Sequence, residues 1–577
     1  MVRIYTLRIM KKQSIKGLAF IAVAGSLVTS CDLLKDLDYT VTPDPLEMHG
    51  DSVRVKVDVT FPEKGIKKKV SAEINPSIAS TQLKPLMVQG EKATGNGTVI
   101  QYKAGGKVTY TDVVPYKSDM EASALSVTGK VFKGTKEKEQ LDVIRIADAT
   151  IITPYLVNKD FRVIYEADQF KRVTEEKQFA QINYEKGKSN VRPAELKDKD
   201  IVELQNWLTK VQPNAKVNIK SIEIVGYASP EGEEDKNNTL STDRSNTGKE
   251  TVLGVAKKAK NDKAQTEIFS LKGSGEDYVG FKRELQASKF NEDEKNLILR
   301  VLEMYKDPVK REEEMRAMGK TFTQLDKDIF PLLRRSEIYV VYDLTGYSDE
   351  ELKAISVSNP DSLKLEELLF TATLTNDLNE KLRLYQVAAK NFPQDHRAFN
   401  NIGAVYYEQN KLGEAKAQFE KANGMKDNAI AKNNLGAIAG VQGDRAKAKQ
   451  LFGQANGAGA QVNYNKGILD IQDGKYASAV SNFGSEATFN KALAQLLNGD
   501  NAGATKTIDG SDDAESAQGY YLKAIAAKRD KKDAEATSNI SKAAAKDASF
   551  GERATRDREF VTPVAVEKAA AAAADKK

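Results

Sequence analysis

Only one of the 577 residues is a cysteine, so no disulfide can close within the chain even though an exported protein could have formed one. Imidazole is almost as scarce. His49 and His396 are the whole supply, they lie in unrelated segments, and no carboxylate-rich motif surrounds either. A histidine-based zinc site or a Ser-His-Asp triad lacks the residues it needs, so no catalytic residue, metal or cofactor is expected and the chain reads as a non-enzyme. Long apolar runs are missing as well: the longest is about ten residues, against the roughly 20 that a membrane-spanning helix requires. Charge of one sign is not in excess. The 87 basic and 82 acidic residues leave a net +5, which gives no reason to expect a nucleic-acid partner. At about 150 residues per domain the length suggests three to four domains.

The single cysteine has an informative position. Lys11-Lys12 precede the short apolar run from Gly17 to Leu27, and Val28-Thr29-Ser30-Cys31 follows it. A basic start, a short apolar stretch and small residues before a cut describe an export signal. The tetrapeptide resembles the lipobox of bacterial lipoproteins, and that resemblance implies cleavage before Cys31 and acylation of its thiol. Residues 1–30 are then the signal peptide and the membrane is a partner through Cys31. The alternatives are a plain secretory peptide with a chance cysteine, or a cysteine buried in a core.

Three zones follow. In 31–157 the chain alternates: Val53, Val55, Val57 and Val59 are separated by Arg54, Lys56 and Asp58, a period of two that marks a half-buried strand. Short runs at Lys69 to Ile74, Val108 to Val114, Ala124 to Phe132 and Val143 to Ile152, parted by proline and glycine, predict an all-β, sandwich-like domain.

In 161–345 an apolar strand Ile219 to Val225 ends in Gly226-Tyr227-Ala228-Ser229-Pro230-Glu231-Gly232. Asn237, Leu240, Ser241 and Arg244 then open a helical stretch, Gly273-Ser274-Gly275-Glu276 closes a second strand, and Arg334-Arg335-Ser336-Glu337-Ile338 opens a last one. Together these resemble the OmpA-like domain, in the variant common in outer-membrane proteins of the Bacteroidetes, with a helical insert at 277–330. The resemblance implies an α/β sandwich that binds peptidoglycan. Gly226, Tyr227, Ser229, Glu231, Asn237, Leu240 and Arg244 are the candidate site. The diamino acid of a peptide stem offers carboxylates and an amine, so its host needs a guanidinium, helix N-terminal amides and a carboxylate. Arg244 falls on the family's binding arginine, expected one turn into its helix, where the dipole also favours an anion. The family's acidic partner is replaced by Ser229. Either Glu231 takes that role or ligand binding has been lost. Arg334 and Arg335 are expected to flank the last strand rather than contact a ligand.

In 361–550 Phe399, Ile402, Gly403, Tyr406, Ala415, Phe419 and Ala422 match positions 4, 7, 8, 11, 20, 24 and 27 of the tetratricopeptide pattern. Copies follow at Leu435, Gly436, Ala448, Phe452 and Ala455, then at Gly467, Ala479 and Phe483. The third zone is thus expected to be an α-helical tetratricopeptide solenoid with a partner-binding concave face. Asn400, Asn401, Asn433, Asn434 and Asn465 are its groove candidates. Residues 551–577, ending in alanines between charges, are expected to be a disordered tail.

The fold class is therefore multidomain α+β. The functional expectation is a lipid-anchored outer-membrane protein, on the periplasmic face with the cell surface as the alternative, bound to peptidoglycan through the OmpA-like domain and to proteins, outer-membrane proteins foremost, through the repeats. The alternative is a scaffold or assembly subunit of an outer-membrane complex that no longer binds peptidoglycan.

Overall fold

The computed structural model describes residues 23–27 and 37–561; Cys31, with its expected lipidation, and 562–577 lie outside the described residues. The chain divides into two compact units, one formed by residues up to Ala167 together with those from Asp377 onward, the other by Asp168–Asn376.

In the first unit the strand Ser52–Phe61 buries Val53, Val55, Val57, Val59 and Phe61 and turns Arg54 and Lys56 outward, as the two-residue period requires. It pairs antiparallel with Gly106–Pro115 and with Leu37–Val41. The backbone of Val23–Leu27, inside the expected signal segment, pairs antiparallel with Leu37–Val41. Two separate sheets are not formed. The short strand Leu46–His49 bonds antiparallel to Ser52–Phe61 and parallel to Lys136–Ile151, which joins the strands of this region, eleven among the described residues, into one continuous sheet. Its two halves share a single core, where Leu37, Val57 and Phe61 meet Val88, Leu125 and Val131.

After a short helical turn at Thr153–Leu156, whose Pro154 sits where no N–H is needed, the chain runs without helix or strand pairing to Ala167. The C-terminal part of this unit begins at Leu378–Asn391 and continues as helical pairs, from His396–Glu408 with Leu412–Met425 to Ala517–Arg529 with Asp533–Lys546. Close approach explains the repeated glycine. A Cβ on Gly403 would lie 2.7 Å from the Phe419 ring, and one on Gly436 would lie 2.7 Å from Phe452. The helices over 349–373 belong to the second unit, so the array starts later than 361. Its end is also later than expected. Asp557 and Glu559 are buried, Tyr521 Oη donates to Asp557 Oδ2 at 2.6 Å, and Arg529 Nε donates to Glu559 Oε2 at 3.1 Å. These contacts hold 551–561 on the array, where a tail was expected.

The second unit is a four-stranded sheet in the order Val173–Asn183, Arg335–Thr345, Val217–Ala228, Phe269–Glu276. Arg335–Thr345 runs antiparallel to both of its neighbours; the last pair is parallel, and Glu234–Lys258 is the crossover helix such a pair needs. Ile201, Leu204 and Leu208 of the helix Lys199–Val211 and Val252 and Val255 of the crossover bury against Ile222, Ile224, Ile338 and Val340. Helices between Tyr278 and Leu333 form the expected insert around a core of their own, with Phe281, Leu285, Ile298, Leu325 and Phe330.

Candidate functional site

The sequence-selected residues of the second unit converge where Val217–Ala228 ends against the crossover helix. Gly226 is there for packing: a Cβ would sit 2.0 Å from the Ser241 carbonyl oxygen. Asn237, in the first turn, pins the following loop by donating from Nδ2 to Ser229 O at 3.3 Å, Glu231 O at 3.4 Å and Glu276 Oε1 at 2.8 Å. The Tyr227 ring lies under the Arg335 guanidinium at 4.4 Å. Ser229, Glu231, Asn237, Leu240 and Arg244, with Lys186 opposite, line a cavity of about 570 Å³.

Arg244 is not one turn into its helix. The helix begins at Glu234, so Arg244 stands nearly three turns in, and the dipole, whose effect fades within the first turn, contributes little at its Cα. Its side chain has no exposed surface. Nε, Nη1 and Nη2 donate to the carbonyls of Lys188 (3.1 Å), Tyr227 (2.7 Å) and Glu185 (3.3 Å), and no carboxylate among the described residues pairs with it. Burial pushes its pKa down to about 10. Three of five donors are used, leaving one hydrogen on each terminal nitrogen.

Glu231 is the carboxylate beside Ser229. Its Oε1 accepts from Ser229 Oγ at 2.7 Å and from Arg334 Nη2 at 2.7 Å, while Oε2 is buried with no hydrogen-bond partner. Burial raises its pKa, opposed by the Ser229 hydroxyl and Arg334. Sequence reasoning missed this use of Arg334, and it missed Lys186 and Asp326, which carry no motif. Arg335 does anchor the last strand, through Asp277 and Glu337.

The asparagines of the first unit form a ladder. Asn401 accepts the N–H of Glu166 and donates to its carbonyl at 2.7 and 2.9 Å; Asn434 does the same to Ile164 at 2.7 and 2.8 Å, and Asn465 to Arg162 at 2.7 and 2.8 Å. Asn490 repeats it on Asn158, at 2.9 and 2.9 Å. Asn400 and Asn433 stand behind them, each donating to the same strap at 3.1 Å and linking the amides to one another. A carboxamide carries one acceptor and a donor in the spacing of a peptide group, so it holds backbone without reading side chains. The intervening side chains pack: Phe161 stacks on Phe452 at 6.1 Å and fills the space over Gly440, and Tyr165 meets Tyr385 at 6.2 Å. The expectation that Asn400, Asn401, Asn433, Asn434 and Asn465 face an open partner groove is therefore corrected: residues 158–166 of the same chain fill it. Asn490 follows Asn465 by 25 positions, shorter than the other steps, which is why the repeat spacing did not find it.

No family model matches this chain. No curated protein matches either. Among solved structures, a tetratricopeptide repeat protein from Parabacteroides merdae is 17% identical, with 42% of this chain and 98% of that one covered and a TM-score of 0.28. YrrB, described as a TPR protein with an unusual peptide-binding site, is 18% identical over 36% of this chain and 100% of its own, TM-score 0.22. PilW, a type IV pilus biogenesis factor, is 18% identical over 35% and 96%, TM-score 0.28. The repeat architecture rests on the paired helices and the glycine–phenylalanine contacts of this chain.

Proposed function

We propose that the protein is a non-enzymatic envelope scaffold, anchored in the outer membrane by lipid on Cys31 and facing the periplasm, whose second unit is an OmpA-like domain holding a peptidoglycan stem peptide. The observation that carries this reading is Arg244: a fully buried guanidinium without a carboxylate partner, at the wall of a 570 Å³ cavity. An anion entering there gains a charge-assisted hydrogen bond in a medium of low dielectric, where such bonds are strongest. Anchoring adds force to a weak contact, because a tethered binder meets its ligand at high effective concentration.

Protein partners are recruited elsewhere than on the concave face of the repeats, since the strap fills it. A second reading, an assembly subunit that has lost wall binding, is favoured by the use of three Arg244 donors on backbone carbonyls of its own chain, those of Glu185, Lys188 and Tyr227.

Co-sedimentation with purified peptidoglycan sacculi separates the two. Wild type is expected in the pellet, and Arg244→Ala and the cavity-filling Leu240→Trp in the supernatant. Equal sedimentation of all three would sink the wall-binding reading. Mass spectrometry of the N-terminal peptide is expected to show an acylated Cys31, and Cys31→Ser is expected to release the protein from the membrane fraction.

A further inference from the structure

The helical insert reaches into the cavity's charge network through Asp326. Its Oδ1 accepts from Lys186 Nζ at 2.9 Å and from Arg334 Nη2 at 2.9 Å. The same Arg334 nitrogen holds Glu231 Oε1 at 2.7 Å, and Arg334 Nε reaches that oxygen at 3.1 Å. A guanidinium facing one carboxylate alone tends to bond both its oxygens. Here it does not. Glu231, 8% exposed, lines the cavity, and its Oε2 is left buried and unpartnered.

We infer that Asp326 is a positioning residue: by drawing Arg334 to itself it keeps Glu231 Oε2 free to accept an ammonium group of the ligand. The cavity then offers a cation acceptor at Glu231 and an anion donor at Arg244, and the ligand is a zwitterion bearing an amine and a carboxylate. This rests on the stem-peptide reading, in which Glu231 takes the amine, and adds to it that the insert, through Asp326, sets whether Glu231 is available. The insert has a second hold on the same loop, since Glu312 accepts from the Gly232 N–H.

The geometry makes the consequence of removing Asp326 specific. Without it the only anion left to Arg334 in the network is Glu231, and the guanidinium turns to cover both carboxylate oxygens. Glu231 is then more acidic and no longer available. Lys186 loses its partner as well and stands at the cavity rim as a free cation, which disfavours an incoming ammonium. The charged groups nearest Glu231 are Arg334, Lys186, Asp326 and Arg244, with Glu312 on the adjacent Gly232 N–H and Glu233, Asp235, Lys236 and Asp243 lining the same cavity.

The test is calorimetric titration of the detergent-purified full chain with meso-diaminopimelate and with its mono-N-acetyl derivative, at several pH values. Wild type is expected to bind the free amine and to bind the acetylated form at least about tenfold more weakly. Binding should strengthen as pH rises through the raised pKa of Glu231, because only the ionised carboxylate accepts an ammonium. Asp326→Asn is expected to weaken binding about tenfold and to move the midpoint of that rise to lower pH, with Asp326→Glu restoring part of both. A merely structural role leaves the midpoint in place. If Glu231→Gln weakens binding while Asp326→Asn matches wild type in affinity and midpoint, the positioning inference is overturned and the stem-peptide reading stands. If wild type binds neither compound, or binds both equally, the ammonium site itself is overturned.

Discussion

A buried carboxylate with one oxygen saturated and the other bare costs free energy when ionised, and Glu231 shows it by holding its proton to a higher pH than an ordinary glutamate. The folded chain then keeps a proton that the unfolded chain, near the ordinary glutamate value of 4.5, has given up. Stability is therefore greatest below that value and falls as pH rises through the raised folded pKa. Urea midpoints measured from pH 4 to 8 should decline more steeply for wild type than for Glu231→Gln, and parallel slopes would contradict the assignment. The ladder makes a second prediction at this scale. Asn434→Ala takes the acceptor from the buried N–H of Ile164 and leaves its carbonyl with the Asn400 donor alone, a loss of about 1 to 3 kcal/mol, read as a lower denaturation midpoint for the first unit. Asn434→Asp keeps the acceptor but not the donor and should fall between the two.

Among the elements, the strap and the repeat helices show how far periodicity carries. The matches at Gly403, Gly436 and Gly467 recur with the aromatic of the second helix, so the helical pairs were legible as a pattern of small and large residues. So were the asparagines, because they occupy one register of that pattern. What they hold was not legible. Residues 158–166 have no regular secondary structure and no strand partner, and an extended segment satisfied by side chains leaves no period to read. The same limit hid the continuous sheet, since Leu46–His49 joins two halves by a parallel and an antiparallel pairing that no spacing announces. Packing under the strap is testable through Gly440. A Cβ there would lie 2.6 Å from Phe161, so Gly440→Ala should cost about 1 to 3 kcal/mol by overpacking and speed hydrogen exchange of the amides at 162, 164 and 166. Phe161→Ala combined with Gly440→Ala should recover part of the slow exchange that Gly440→Ala alone loses.

In the whole molecule, the three zones read in chain order become two units, because the first and third zones fold together and the second is a separate body. A strap joined to its own groove competes at an effective concentration of order millimolar, so a synthetic peptide of residues 158–167 added in trans should not bind the intact chain. Fluorescence anisotropy of the labelled peptide checks this, and micromolar binding would show that the groove opens. By itself the sequence determined what composition and local spacing can: no disulfide within the chain, a strand-rich start, and helical repeats with asparagine at a fixed register. Only the tertiary structure decided which backbone those asparagines hold, and that Glu231 is shared with Arg334 while Arg334 is shared with Asp326. The ladder partners lie 235 to 332 positions apart and Glu231 lies 103 from Arg334, distances over which hydrophobic periodicity carries no information and only folding brings donor to acceptor.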